Sequence, residues 1–106
     1  MKAKIHEKTI SEGGREAKRT VLAVCDSELL GKVFEDGDFV LDLAKYRSFY
    51  DGEEVSEAEA ERLIRNATSI NLVGEKSIAA AKKALGIKAS GARKIAGIPH
   101  LQIYYA

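Results

Sequence analysis

The sequence SINLVGEKSIAAAKKALG, residues 69–86, combines the signals of a buried strand and of a helix. Its first part, SINLV, is a short apolar run of the kind found in buried strands. Gly74 then opens a helix over EKSIAAAKKAL. Gly86 stands where a helix stops with a left-handed residue, and Ile87 is placed for the hydrophobic contact of a Schellman motif. We therefore predict a strand followed directly by a helix.

A second helix is predicted just before this unit. Ser56 and Glu59 form a capping box, in which each side chain satisfies an amide at the helix start. The apolar residues that follow have the helical spacing i, i+3, i+4 and i+7; they are Ala60, Leu63, Ile64 and Ala67.

The N-terminal part of the chain predicts a β-hairpin. Residues 2–10 alternate weakly between polar and apolar side chains, and residues 20–25 (TVLAVC) form a short apolar run with β-branched residues. The stretch between them, SEGGREAK (residues 11–18), predicts a flexible, charged tip.

The remaining segments predict short elements. Asp26 stands at the N-cap position of a helix over SELLGKVFED that ends near Gly37. Residues 39–43 (FVLDL) predict a strand, with a loop or a further strand after it. Near the C-terminus, a loop and a turn at Pro99 precede a last strand over residues 101–105.

Together these elements predict an α+β fold with an N-terminal β-hairpin and a mixed sheet with about three short helices. The length of 106 residues fits a single compact domain over residues 1–106. Lys and Glu are abundant, whereas Asn, Gln, Cys and Met are few, which favours a thermostable protein.

Composition excludes several classes of protein. A single cysteine excludes an intramolecular disulfide framework, and two histidines argue against a self-contained structural zinc site. We expect neither a metal nor a cofactor. No apolar run approaches the ~18 residues of a membrane span, and the N-terminus lacks the core of a signal peptide. We therefore expect a cytoplasmic protein with no membrane partner.

Charge is segregated along the chain, although the formal net charge is only +1. Residues 1–20 carry six basic and three acidic side chains, for a net +3. Residues 21–62 carry four against twelve, for −8, and residues 63–106 carry seven against one, for +6. Such a distribution allows one face to attract phosphate, although the acidic and basic segments could also pair with each other in the fold.

Two segments are candidates for nucleic-acid binding. The sequence KYRSFY, residues 45–50, interleaves cations with aromatic rings that could stack on bases, although the rings could instead cover the core. The loop near SGARK and the end of the helix before it carry basic residues without a neighbouring acid, although some of these also fit a solvated helix face. The candidate residues are Tyr46, Arg47, Tyr50, Lys82, Lys83, Lys88, Arg93 and Lys94.

A strand-to-helix junction is a candidate anion-binding site. The amides at the start of the helix could bind phosphate, and nearby side chains add donors. The motif has one glycine rather than a phosphate-binding cradle, and Glu75 could itself occupy the helix dipole. The candidate residues are Asn71, Gly74, Lys76 and Ser77.

Cys25 and His100 form a further possible site. A thiol that precedes a helix could be activated by the helix dipole, with His100 as its base. The alternative is that Cys25 ends an apolar strand as a core residue, next to an acid that raises a thiol pKa. His100 follows Pro99, and the interpretation that the sequence favours for it is a structural histidine bonded to a loop carbonyl. We assign no catalytic residue.

Four segments of this sequence resemble a family of small archaeal proteins known as domain of unknown function 424. They are VLAVCDSELLGKVFEDG, the central FYDGE, NLVGEKS and AGIPHLQ. The resemblance spans almost the whole chain and implies an archaeal, cytoplasmic α+β protein. It carries no established activity, so no catalytic residue is transferred, and a role in translation or RNA binding is the expectation by analogy.

We predict a non-enzymatic binding protein that contacts RNA or the ribosome through its basic C-terminal half. Two alternatives stay open. One is an enzyme that binds a small molecule or an anion near Cys25, Gly74 and His100. The other is an interaction module whose acidic middle segment meets a basic partner such as a ribosomal protein. The sequence predicts no oligomeric state.

Overall fold

The computed structural model describes residues 1–88 and 91–104. Within them the chain forms eight strands, three helices and a 3-10 turn, Ser27–Leu29. The strands are β1 (Lys2–Glu12), β2 (Arg15–Cys25), β3 (Val33–Asp36), β4 (Phe39–Asp42), β5 (Glu53–Glu54), β6 (Ser69–Val73), β7 (Arg93–Ile95) and β8 (Ile98–Tyr104); the helices are α1 (Arg47–Tyr50), α2 (Glu57–Arg65) and α3 (Glu75–Leu85).

Six strands form a mixed sheet in the order β5-β1-β2-β6-β8-β7. The pair β2–β6 is parallel, with Leu22 opposite Ile70, and the other pairs are antiparallel. Strands β3 and β4 form a separate antiparallel hairpin, here called the small sheet. The architecture confirms the predicted α+β fold with its N-terminal hairpin and mixed sheet.

One face of the six-stranded sheet packs against α2 and α3 and is called the helix face. Because side chains alternate along a strand, every second residue of β2, β6 and β8 points to it. Its core includes Val24, Leu72 and Leu101 from the sheet, packed with Ile64 of α2 and Ile78 of α3.

The opposite face packs against the small sheet and α1 and is called the small-sheet face. Its core joins Cys25 and Val73 to Leu43, Tyr50 and Ile95. The tip of the small sheet is tied to the β7–β8 turn, where the amide of Ala96 donates to Asp36 Oδ2 over 3.1 Å. The protein thus has three layers: helices, the large sheet, and the small sheet with α1.

The N-terminal hairpin is longer than predicted. The turn contains only Gly13 and Gly14, both at positive φ (59° and 77°), as a two-residue hairpin turn requires. The charged residues on either side belong to the strands, where Glu12 lies opposite Arg15. The prediction of a flexible tip over residues 11–18 was therefore wrong.

The segment after Asp26 is the main departure from prediction. A helix was predicted up to Gly37, but only the 3-10 turn forms, and the chain then enters the small sheet. Gly31 and Gly37 adopt positive φ (85° and 63°), which interrupts a helix and turns the chain into a hairpin. The strand predicted over residues 39–43 is confirmed as β4.

The two predicted helices are confirmed; of the predicted capping box of α2 the Ser56 half forms, whereas the Glu59 carboxylate pairs with the Arg62 guanidinium. Ser56 Oγ accepts from the amide of Glu59 over 3.2 Å, and Gly86 ends α3 in the left-handed conformation. A strand not predicted, β7, forms before the last one, and the turn between them lies at Ala96 and Gly97 rather than at Pro99. Residue 105 of the predicted last strand lies outside the described residues. No helix in residues 1–88 and 91–104 is long and apolar enough to cross a membrane.

Candidate functional site

A cavity of about 400 Å³ lies between the layers on the small-sheet face. Strands β6 and β8 form its floor, and β4 with α1 forms its opposite wall. Three polar side chains of the floor, Asn71, His100 and Gln102, line this cavity. Asn71 of β6 and Gln102 of β8 are opposite each other and therefore point to the same face of the sheet. Val73 and His100, each two residues further along its strand, are also opposite each other, so strand alternation points His100 to that face as well. We call this cavity the pocket.

The floor contains two buried polar atoms that lack a hydrogen-bond partner among the described residues. They are Asn71 Oδ1 and His100 Nε2. Each such atom costs about 1–3 kcal/mol when it is buried without a partner. Both atoms belong to side chains that line the pocket, and unsatisfied polar groups beside a cavity are typical of a ligand-binding site.

His100 is neutral at neutral pH. Burial lowers the pKa of its imidazole below the ordinary value, and the nearby positive charge of Arg93 lowers the pKa further. A neutral imidazole has one N–H donor and one acceptor nitrogen, so the floor carries no formal charge from this residue.

Aromatic side chains of α1 and its N-cap form a wall of the pocket. Tyr46 is 54% exposed at the mouth, whereas Tyr50 is buried, and burial together with the neighbouring Cys25 raises the pKa of its hydroxyl to about 12. Phe49 stacks on the ring of His6 at 4.4 Å between centroids, and His6 Nε2 is 2.8 Å from the Phe49 carbonyl oxygen. These contacts fix α1 against the hairpin β1–β2.

A polar groove adjoins the pocket beside β8. It is lined by Gly91, Arg93, His100 and Gln102, and it has a volume of about 410 Å³. The guanidinium of Arg93 lies over the ring of Phe39, 5.0 Å from its centroid, which holds the cation at the groove. The groove and the pocket share His100 and Gln102 in their linings, so they adjoin each other at these two side chains.

The far end of β8 adds a second cation and an exposed ring. Arg19 Nη1 donates to the Tyr104 hydroxyl over 2.9 Å, and Tyr104 is 65% exposed. By strand alternation Tyr104 points to the same face as Gln102 and His100. His100, Gln102 and Tyr104 thus form a row along β8 on the small-sheet face. Arg93 lies at one end of this row and Arg19 at the other.

Comparisons with known proteins place the chain among its relatives. A sequence model of the family described as "Protein of unknown function (DUF424)" matches residues 15–105. The chain belongs to this family. The match confirms the resemblance found in the sequence. A solved structure described as that of an uncharacterized conserved protein from Methanopyrus kandleri, an archaeon, is similar in fold. It is 25% identical with a TM-score of 0.70, and the match covers 94% of this chain and 90% of that chain. None of the curated proteins compared with the chain matches it.

In this DUF424 protein the basic residues expected to bind RNA do not share one face. Arg93 points to the pocket side, whereas its neighbour Lys94 points to the helix side. Lys82 and Lys83 lie on α3, and Lys83 Nζ is 4.0 Å from Glu61 of α2. The remaining exposed lysine of the set, Lys88, follows α3.

The aromatic candidates of the same set also divide. Tyr46 and Tyr50 both line the pocket. Arg47 does not line it, because its guanidinium pairs with Asp51 at 3.4 Å. The segment 45–50 of this DUF424 protein thus contributes rings, rather than an arginine, to the site.

The predicted anion-binding junction is filled by a side chain of the protein itself. The amides of Lys76 and Ser77 donate to the two carboxylate oxygens of Asp26 over 3.0 and 2.8 Å, and Ser77 Oγ donates to the same residue over 2.7 Å. The Lys76 ammonium pairs with Glu28 at 3.1 Å. A phosphate at Gly74 would have to displace this carboxylate, whereas Asn71, the fourth residue of that prediction, belongs to the pocket.

Cys25 is a core residue rather than a nucleophile. Its side chain is fully buried, and its thiol donates to the Asp26 carbonyl oxygen over 3.3 Å. Burial raises the pKa of the thiol to about 12, with the negative charge of Asp26 as the next cause, so the reactive thiolate does not form near neutral pH. Of the predicted pair, His100 alone is part of the site.

Sequence reasoning missed Arg19, Gln102 and Tyr104. Each lies in a strand whose alternation is readable, but their common face depends on the register between β2, β6 and β8. The sequence did contain one signal for the floor of the pocket, which is Asn71 within the apolar strand SINLV. A buried strand rarely carries an amide without a partner.

Proposed function

We propose that this protein binds single-stranded RNA on the small-sheet face. The row of side chains along β8 supports the proposal. Arg93 lies opposite His100 at one end, Gln102 follows, and Tyr104 with its partner Arg19 lies at the other end. Cations that meet phosphates and rings that stack on bases are the combination that binds single strands.

The length of the row fits an extended strand rather than a single anion. His100 and Tyr104 are four residues apart on β8, which is about 13 Å at ~3.3 Å per residue. Arg93 lies opposite His100 at one end of the row, and Arg19 contacts Tyr104 at the other end, so the two arginines mark the ends of the track. The ring of Tyr104 is exposed at the Arg19 end of the row, where a base can stack on it.

The small sheet limits the path of the RNA backbone. Residues 33–42 contain four acidic side chains and no basic one. Their negative field repels phosphates, so the backbone is directed along β8 and away from the small sheet. The four acidic residues are Glu35, Asp36, Asp38 and Asp42.

Arg93 and Lys94 provide a matched test of which face binds. Both are exposed cations in β7, but they point to opposite sides of the sheet. We expect Arg93→Ala to weaken binding of a twelve-nucleotide single-stranded RNA by about ten-fold. The slope of log K against log salt concentration should become shallower by about one. Lys94→Ala should leave binding within about two-fold of wild type, because its side chain lies on the helix side. Fluorescence anisotropy at several salt concentrations measures both quantities.

Two results of these experiments would contradict the proposal. Equal losses from the two substitutions would mean that net charge, rather than the small-sheet face, drives binding. No binding of wild type at low salt would end the RNA proposal. A DNA strand of the same sequence separates RNA recognition from single-strand binding in general, because only RNA offers the 2′-hydroxyl.

Arg19 and Lys18 test the other end of the row in the same way. Arg19 reaches Tyr104 on the small-sheet face, whereas Lys18, the preceding residue of β2, points to the helix side. We expect Arg19→Ala to weaken the same RNA about three- to ten-fold, since it removes one phosphate contact and releases the Tyr104 ring. Lys18→Ala is the control, and a loss as large as that of Arg19→Ala would contradict the proposed track.

A further inference from the structure

We infer that the pocket binds a nucleobase, held edge-on by Asn71 and His100. The inference rests on the proposed function, because the base is taken to be one unit of the bound RNA; a free nucleotide is the other source, and the last experiment separates the two. The observation behind it is the pair of buried atoms on the floor, Asn71 Oδ1 and His100 Nε2, which lack partners within the part of the chain described.

The floor offers hydrogen bonds of the kind that the edge of a base presents. Asn71 Oδ1 is an acceptor and needs a donor, which a ring N–H or an exocyclic amine of a base supplies. The rest of the same carboxamide is a donor, so one side chain can form the two-point contact that Asn makes with adenine. The neutral imidazole of His100 and the amide of Gln102 add further donor or acceptor positions on the same floor.

The walls fit a flat, uncharged ring. Tyr46 and Tyr50 contribute aromatic surface, and Leu41, Leu43 and Ile95 contribute aliphatic surface. The cavity volume of about 400 Å³ lies within the usual range for small-ligand sites. A mostly apolar cavity with a few convergent polar groups is suited to a heterocycle and poorly suited to a charged metabolite.

Among the described residues that line the pocket, Asp42 is the one acidic residue, and its carboxylate already accepts hydrogen bonds from the protein. Asp42 Oδ1 accepts from the amides of Ala44 and Lys45 over 3.1 and 2.7 Å. The floor itself is neutral, because His100 is held in its neutral form. Arg93 lies in the adjoining groove, where it can meet the phosphate attached to a base that has entered the pocket.

The first test uses adenosine monophosphate, with ribose 5-phosphate as the probe that lacks a base. We expect wild type to bind adenosine monophosphate at least about ten-fold more tightly than ribose 5-phosphate, with changes in the NMR signals of the Asn71 and His100 side chains. Asn71→Leu should remove about ten-fold or more of this affinity, because the acceptor is lost. Asn66→Leu makes the same chemical change at the exposed end of α2 and should have no effect on binding.

Thermal stability supplies a second readout for the same variants. Because Asn71 Oδ1 is buried without a partner in the ligand-free protein, Asn71→Leu should leave the Tm unchanged or raise it. Loss of binding together with a retained or raised Tm supports a ligand site. A fall in Tm of several degrees would show that Asn71 serves the fold, and it would overturn the assignment.

A twelve-nucleotide oligoadenylate separates the two sources of the base. If Asn71→Leu weakens both the oligonucleotide and adenosine monophosphate, the base belongs to the bound RNA. If it weakens only adenosine monophosphate, the pocket binds a free nucleotide, and the RNA track is independent of it. If adenosine monophosphate binds no better than ribose 5-phosphate, the pocket inference fails, although RNA binding that depends on Arg93 and Arg19 would still support the proposed function.

Discussion

Replacing Asp26 with alanine should destabilise the protein by about 3 kcal/mol. The carboxylate is buried and accepts three hydrogen bonds at the start of α3, from the amides of Lys76 and Ser77 and from Ser77 Oγ. Loss of an N-cap costs about 0.5–2 kcal/mol, and buried donors left without a partner add about 1–3 kcal/mol. We expect the Tm to fall by roughly 10–20 °C. Thermal and urea denaturation monitored by circular dichroism measure the change.

Two further variants separate the cap from a general effect of charge. Asp26→Asn keeps one oxygen acceptor and should lose about half as much stability. Asp38→Ala removes an acid from an exposed turn of the small sheet and should change stability by less than about 0.5 kcal/mol. If Asp26→Ala and Asp38→Ala proved equally mild, the role of Asp26 as the cap of α3 would be refuted.

Replacing Gly74 with alanine should cost at least about 3 kcal/mol. Gly74 precedes α3 with a φ of 108°, a conformation that strains any other residue. A Cβ atom there would also collide with the carboxylate group of Asp26. Gly86→Ala is the matched control. Gly86 also has a positive φ (66°), but a Cβ atom there would meet no other atom within 4 Å, so this substitution should cost only about 1–2 kcal/mol.

The double variant Asp26→Ala with Gly74→Ala shows whether the two residues act as a unit. Removing the carboxylate makes room for the methyl group, so the combined loss should be smaller than the sum of the single losses. Urea denaturation measures the losses in the free energy of unfolding. If these losses are strictly additive, the collision between the added methyl group and the Asp26 carboxylate is relieved in another way, and the account of Gly74 is wrong.

The fold was predictable where local chemistry decides it. Ser56 caps α2 and Gly86 ends α3, as predicted, because each signal acts within one turn of its own helix. Asp26 carries the same local signal but caps a helix 50 residues further along the chain. Sequence alone cannot distinguish these cases, since the choice depends on which helix start packs beside the carboxylate.

The candidate site was predictable only in part. Asn71 and His100 were linked only through the alternative small-molecule site near Cys25 and Gly74, and Tyr46 and Tyr50 were assigned to nucleic-acid binding, because a linear sequence does not show strand register. The basic residues Arg93 and Lys94, which are adjacent in sequence, lie on different faces for a related reason. Neighbours in a strand point to opposite faces, so charges that are adjacent in sequence are separated by the thickness of the sheet.

The parallel pairing of β2 with β6 has a consequence for the order of folding. The hairpin β1–β2 closes through a two-residue turn and needs no distant contact, whereas β2 meets β6 only after the chain between Cys25 and Ser69 has looped back. Closing so long a loop carries a large entropic cost and slows folding. Asp26 reaches α3 at the end of that same ladder, and its amide donates to the Val73 carbonyl oxygen. Closure of this loop therefore brings Asp26 to the start of α3, so that contacts between residues 50 and 51 positions apart complete a helix whose other signals are local.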